Sequence, residues 1–333
     1  MSLRNVRFVL IMMMLLFVAL PLLGAETDSG FKLTRRVAIG GDGGWDYLTF
    51  DRESRRLFVA RANRIVVLDV DNGNIVGEIP GTNGVHGVAI VPAIGRAVAS
   101  NGKDDSVLIF DLKTLAPIAT VKTGVKPDAI FFEELTGLVM VFNGKTDNVT
   151  LVDPGRAIAV STIALPGRPE TGVSDGKGRV FVNLEDKNSI AVIDMKLRKV
   201  VATWALDGCD EPTGLSYDSE SGRLFSGCHN STLVVVDVNT GKNVQKLKIG
   251  GNVDAVAFDN QKKLVFTSNG EGNVSVIRQE SADKYSSYAN VPTISGAKTL
   301  ALDPDKHRLY SVANMPSPES PRKGTFHLLV IEQ

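Results

Sequence analysis

Residues 179–194 read RVFVNLEDKNSIAVID: an apolar run opened by arginine, a polar turn, and a second apolar run closed by aspartate. Each run is short, rich in Val and Ile and bounded by Asn, Asp or Ser, which is the pattern of buried strands rather than of a helix. The closing run, V-x-V-x-D in outline, recurs as Ile65–Asp69, Val107–Asp111, Val149–Asp153, Ile190–Asp194, Leu233–Asp237, Val274–Arg278 and Leu328–Glu332. Successive endpoints lie 42, 42, 41, 43, 41 and 54 residues apart, the long last interval holding insertions around 285–290 and 315–324. A period near 42 belongs to propellers and other repeat arrays.

Outward from the quoted stretch, every copy adds an innermost apolar segment before it and a weaker fourth segment after it. Four strands per unit follow, with Asp71–Gly73 and Asn239–Gly241 supplying turn residues that tolerate positive φ. A sheet of this size cannot bury both faces alone, whereas radial stacking around an axis buries both and leaves only short edges. The expected fold is therefore all-β: a seven-bladed β-propeller of four-stranded antiparallel blades, one domain over 31–333. Length alone suggests two domains, and the repeat overrides that prior. The seventh copy ends at Gln333, directly after its third strand, and Val37-Ala38-Ile39-Gly40-Gly41 echoes Leu247-Lys248-Ile249-Gly250-Gly251, the end of the fifth copy's outer strand. The N-terminal strand is thus expected to close the last blade and remove its exposed edge.

Ahead of the ring stand Arg4 and Arg7, an apolar stretch Phe8–Leu23, then Gly24-Ala25 and a polar Glu26–Ser29. This reads as a signal peptide over 1–25, which predicts a periplasmic or extracellular protein. An uncleaved anchor is the alternative, the stretch being just short of the roughly 18–20 apolar residues that span a bilayer. Without Arg4 and Arg7, 35 basic residues face 37 acidic ones, and Lys122, Lys126, Lys242, Lys246 and Lys248 fall on different turns and outer strands. Nucleic acid is not expected as a partner, since that needs a basic stripe; a monomer is expected. Cys209 precedes the first strand of the fifth copy and Cys228 ends its second, so both reach the same face. An oxidising compartment favours a disulfide over two reduced, buried thiols.

On that upper face open the loops that enter each first strand and those that join second strands to third. Aligned on the start of the innermost strand, the copies bring Asp46, His86, Asp128, Glu170, Thr213, Asp254 and Lys298 to the mouth of the central channel. Carboxylates crowded there raise one another's pKa or gather a cation, water or a basic group. Two readings stand side by side: a solvated funnel, and a site for a small polar ligand or a protein side chain. No resident cofactor is expected, with a divalent cation on the carboxylates as the open exception; no closely spaced ligand motif marks a transition-metal site. A rim of Asn and Gly, with His229 and Asn269 among it, surrounds the mouth. Trp45 and Tyr47 flank Asp46 after a glycine-rich loop, so Trp45 either stands at the rim as an anchor or packs on blade seven.

Catalytic signatures are nearly absent. Gly172-Val173-Ser174-Asp175-Gly176 fits Gly-x-Ser-x-Gly, but that motif needs a strand, an elbow and a helix, and here it falls on a first strand and its turn. The chain lacks His-Glu-x-x-His, a phosphate loop and Cys-x-x-Cys-His. Only His86 and His229, of four histidines, are expected on the upper face. No catalytic residue is assigned.

The segments Arg179–Asn183, Leu264–Asn269 and Leu309–Asn314, each followed by a V-x-V-x-D-like strand, resemble the YVTN beta-propeller repeat proteins, often exported from bacteria. The likeness covers nearly everything after residue 30. It departs in copy two, where Arg96-Ala97-Val98-Ala99 lacks the aromatic, and in copies six and seven, where Arg278 and Glu332 replace the aspartate; those blades are expected to be less regular. The resemblance implies a seven-bladed propeller used as a scaffold, often without assigned catalysis; set beside the mouth residues, the leading expectation is an exported, non-catalytic propeller that binds a protein or small polar ligand through its upper face. Similar propellers serve lactonases and quinone-dependent amine dehydrogenases, which keeps two alternatives open. One is a hydrolase in which Asp46, Glu170 or Asp254 with His86 holds a divalent cation; the other is a subunit of a periplasmic electron-transfer assembly. Fold analogy decides neither.

Overall fold

The computed structural model describes residues 30–333 except 42, 318 and 319. The signal peptide expected over 1–25 lies outside the described residues. Seven four-stranded antiparallel sheets form the ring. Blade one takes Leu48–Asp51, Arg56–Arg61, Arg64–Asp69 and Ile75–Pro80, and each later blade to the sixth repeats that order. The opening stretch supplies the second and third strands of blade four, in register from Arg179 opposite Asp194 to Leu184 opposite Ser189.

The aspartate that closes each third strand has a local task. Asp69 Oδ1 accepts the amides of Asp71 at 2.8 Å and Asn72 at 3.3 Å, and Asp111 and Asp237 take the same pairs of amides in their own blades. Each is an Asx turn that reverses the chain into the fourth strand. A second set of acids, Asp218, Asp259 and Asp303 with Glu133, caps the turn between first and second strands in the same way. Where Arg278 and Glu332 replace the aspartate, no tight turn is needed at that point. The blade-six insertion instead lengthens a hairpin, Asn273–Ser281 against Lys284–Pro292, and the blade-seven insertion lengthens Arg308–Ser317 against Ser320–Glu332.

Blade two is regular, contrary to the expectation drawn from its missing aromatic. Ala97 lies opposite Phe110, where blade one places Leu57 opposite Leu68. One large ring therefore fills the space that two medium side chains fill next door, and Phe110 meets Phe58 of blade one with centroids 6.2 Å apart. Such layers recur between all neighbouring blades, for instance Phe181, Trp204 and Tyr217 between blades four and five. Each buried large side chain adds roughly 1.5–3 kcal/mol, so the ring is held by its blade-to-blade faces.

Closure follows the expected route. Lys32–Ala38 pairs antiparallel with the last strand, from Lys32 opposite Glu332 to Ala38 opposite His327, and becomes the fourth strand of blade seven. Within blade five a disulfide joins Cys209 and Cys228, whose Cα atoms are 5.4 Å apart. Among the described residues no helix is long and apolar enough to cross a membrane.

Candidate functional site

The strand nearest the channel slips register once in each of blades two to six: between Val85 and Val88, Pro127 and Ile130, Pro169 and Gly172, Pro212 and Leu215, and Val253 and Ala255. His86, Asp128, Glu170, Thr213 and Asp254 sit inside these slips. A bulge leaves a residue outside the ladder and re-aims its side chain. Proline at 127, 169 and 212 has no N–H to lose there. Two residues before the mouth position the chain is left-handed at Gly84, Lys126, Glu211, Asn252 and Gly296, with φ of 62°, 56°, 50°, 56° and 89°. In blades two, three, five and six the two distortions coincide at the mouth position.

Second strands then lock these positions from behind. Ser100 Oγ donates to the Asp128 carbonyl at 2.6 Å, Ser268 Oγ to that of Lys298 at 2.5 Å, and Asn183 Nδ2 to that of Thr213 at 3.0 Å, each across to the next blade. Asn269, expected at the rim, is fully buried and donates to Asn273 Oδ1 at 2.7 Å and Ser275 Oγ at 3.0 Å. Asn143 makes the same pair of bonds in blade three, so these asparagines staple strands and do not face solvent.

Asp46, His86, Asp128, Glu170, Thr213, Asp254 and Lys298 all line one cavity of about 400 Å³. Lys126, Arg168, Glu185 and His229 line it too. Thr213 is 3% exposed and its hydroxyl donates to the Val253 carbonyl at 2.8 Å, so it presents little polarity to the cavity. The charged side chains are paired. Lys298 Nζ lies 2.6 Å from Asp254 Oδ2, Arg168 Nε 2.7 Å from Glu185 Oε2, and His229 Nδ1 2.9 Å from Glu211 Oε2. His86 Nδ1 is shared: 2.6 Å from Asp46 Oδ2 and 3.1 Å from Asp128 Oδ1, while Lys126 Nζ is 3.5 Å from the other Asp128 oxygen.

Tyr47 was not anticipated as a cross-channel link. From blade one it reaches blade four, where its hydroxyl donates to Glu170 Oε1 at 2.5 Å, and its ring packs on the core between blades three and four. Burial pushes the Glu170 carboxyl well above the usual carboxylate range, and the negative charge of Asp128 adds to it against the Tyr47 hydrogen bond. Burial likewise raises Asp46 against the opposing pull of His86. For His86, burial works against the charged form, but the hydrogen bond to Asp46 and the Asp128 charge outweigh it and raise the pKa.

Trp45 packs on Phe326 of blade seven, centroids 5.3 Å apart, and also borders a second hollow of about 650 Å³ that shares Asp46, His86 and Lys126 with the first. Lys103 and Lys145 line it as well. Lys126 and Arg168 were missed by reading one position per blade, although both lie two residues before an aligned mouth residue. Ser174 of the Gly-x-Ser-x-Gly match ends a first strand and donates to Glu133 Oε1 at 2.9 Å, with no elbow or helix.

Fold and site together define a seven-bladed propeller with a charged, preformed upper mouth. No family model matches the chain, and no curated protein matches it. Among solved structures it is similar to a chain of hydrazine synthase from Kuenenia stuttgartiensis, with a TM-score of 0.75 and 17% identity over 89% of this chain and 98% of that one. It is equally similar to a chain of the mitotic checkpoint complex, with a TM-score of 0.75 and 14% identity over 99% of both. At such identities the likeness is one of fold alone.

Proposed function

We propose that this chain is an exported binding propeller of the YVTN type that takes a small polar ligand, or a polar side chain of a protein partner, at its upper mouth without chemistry of its own. The observation that carries the reading is the convergence of ion-paired acids and bases on one 400 Å³ cavity. A cavity of that size with a few fixed polar groups suits a small molecule. Because both signs of charge face it, the ligand class is zwitterionic: an ammonium met by Asp128 or Asp254, and an acidic group met by Arg168, Lys126 or Lys298. The Cys209–Cys228 bond supports an oxidising compartment.

Thermal-shift screening of the mature protein against amino acids, amino sugars and dipeptides, followed by calorimetry, tests it. Asp128→Ala and Asp254→Ala are each expected to weaken any ligand found at least tenfold. If both leave its affinity intact, the mouth is not the binding site.

A further inference from the structure

We propose that Asp46, His86 and Asp128 form a binding site for a single first-row divalent cation, such as Mn²⁺, Co²⁺ or Zn²⁺, open on its cavity side. The three residues come from blades one, two and three, and one donor atom from each lies within 4.8 Å of the others. Asp128 is 8% exposed and the other two are half-buried, so the donors are held rather than waving in solvent. Two carboxylates and one imidazole form a mixed oxygen and nitrogen set that suits Mn, Fe, Co or Zn better than calcium or magnesium, which prefer oxygen alone. Three protein ligands also leave positions for water or a bound molecule, as open sites do.

Charge balance singles out this corner. Asp254, Glu185 and Glu170 each have their own partner in Lys298, Arg168 and Tyr47. Asp46 and Asp128 share His86, with Lys126 only at 3.5 Å and on the Asp128 oxygen turned away from it. A dication at Nδ1 satisfies both carboxylates where a proton satisfies them by halves; on binding, any proton at Nδ1 leaves for solvent.

Gly102 fixes the ring from the other side. A Cβ there would lie 2.7 Å from His86 Nε2 and 2.8 Å from Cδ2. The Nε2–Cδ2 edge of the imidazole therefore sits against bare backbone, while Nδ1 on the other side faces the two carboxylates. Glu170 and Asp254, the other carboxylates the sequence offered for a cation, are not part of this donor set.

The test uses the tag-free mature protein, stripped with chelator, dialysed and titrated with the metal alone. Calorimetry is expected to show one saturable site per chain for Co²⁺ or Zn²⁺, and Co²⁺ to bring a visible absorption band. His86→Gln and Asp128→Asn are each expected to weaken binding at least tenfold and to remove that band, whereas Glu134→Gln, in the turn between the first and second strands of blade three on the opposite face, shifts affinity less than threefold. Circular dichroism and metal-free melting establish that the variants fold. Absence of saturable one-to-one binding in the wild type overturns the proposal, and so does binding that survives both ligand substitutions. No other ligand is present, so the result is separate from that of the zwitterion screen.

Discussion

Phe110→Ala is expected to be among the most damaging single changes in blade two, and a second substitution is expected to show why. Phe110 is fully buried, lies opposite Ala97 and meets Phe58 across the blade boundary. Emptying a buried phenylalanine site costs ~3–5 kcal/mol. With an unfolding entropy of about 2.1 cal/mol/K per residue over about 300 residues, that lowers the melting temperature by ~5–8 °C. Phe110→Leu alone leaves a smaller void, ~1–2 kcal/mol, and Ala97→Leu alone overfills the layer, ~1–3 kcal/mol. Together they rebuild the Leu57–Leu68 pair of blade one, so the double variant should fall within ~1.5 kcal/mol of wild type. Calorimetric melting of all four proteins measures the coupling, expected to favour the double variant by ~1–3 kcal/mol. Additive effects, within ~0.5 kcal/mol, would refute the claim that one aromatic and one alanine stand in for two leucines.

Two further predictions concern the mouth and the staple. The raised Glu170 pKa means that the folded state holds that proton more tightly than the unfolded chain, where a glutamate has its ordinary value of 4.5. Its contribution is therefore fully present below that value and is lost as pH rises toward the folded-state pKa. Glu170→Gln keeps an acceptor for Tyr47 and should melt progressively higher than wild type as pH rises from 5 to 8; a difference independent of pH would show that Glu170 does not titrate as argued. For the disulfide, whose cysteines are 19 residues apart, loop-closure entropy sets a ceiling of ~3 kcal/mol. Cys209→Ser with Cys228→Ser should lower the melting temperature by up to ~5 °C and abolish the effect of reductant; an unchanged melt would mean that the surrounding strands already restrict the loop.

Much of the ring was legible because its period is nearly constant. Once Asp69, Asp111, Asp153, Asp194 and Asp237 are seen as one recurring turn residue, the blade count, the register and the mouth positions follow by alignment. Side chains that act across the ring follow no period. Tyr47 and Glu170 are 123 residues apart in different blades, and nothing local to either announces the contact. The asparagines misled for a related reason. Their turn preference is real, but Asn143 and Asn269 spend their amides on third-strand partners, a tertiary demand that outweighs the surface habit of the residue. The insertions around 285–290 and 315–324 are polar, yet each extends a ladder already begun, with Gln279 opposite Tyr285 and Met315 opposite Thr325, so the paired residues gain hydrogen bonds at little further entropic cost.

Backbone symmetry and side-chain asymmetry divide the mouth between two roles. Every blade from the second to the sixth bends its inner strand by the same bulge, so the geometry alone offers five nearly equivalent positions. The counter-groups differ: lysine for Asp254, arginine for Glu185, a phenol for Glu170, and one imidazole for two aspartates. The first three pairings close on themselves, whereas the Asp46–His86–Asp128 corner keeps an excess of negative charge beside the Lys103, Lys126 and Lys145 groove. A dication placed in that corner would cancel the two carboxylate charges beside a neutral imidazole, and the neighbouring lysines would then be the surplus charge of that surface. The preferred ligand would then change from a zwitterion to an anion able to bridge metal and lysine, so the charge of whatever binds reports whether the corner holds a proton or a metal.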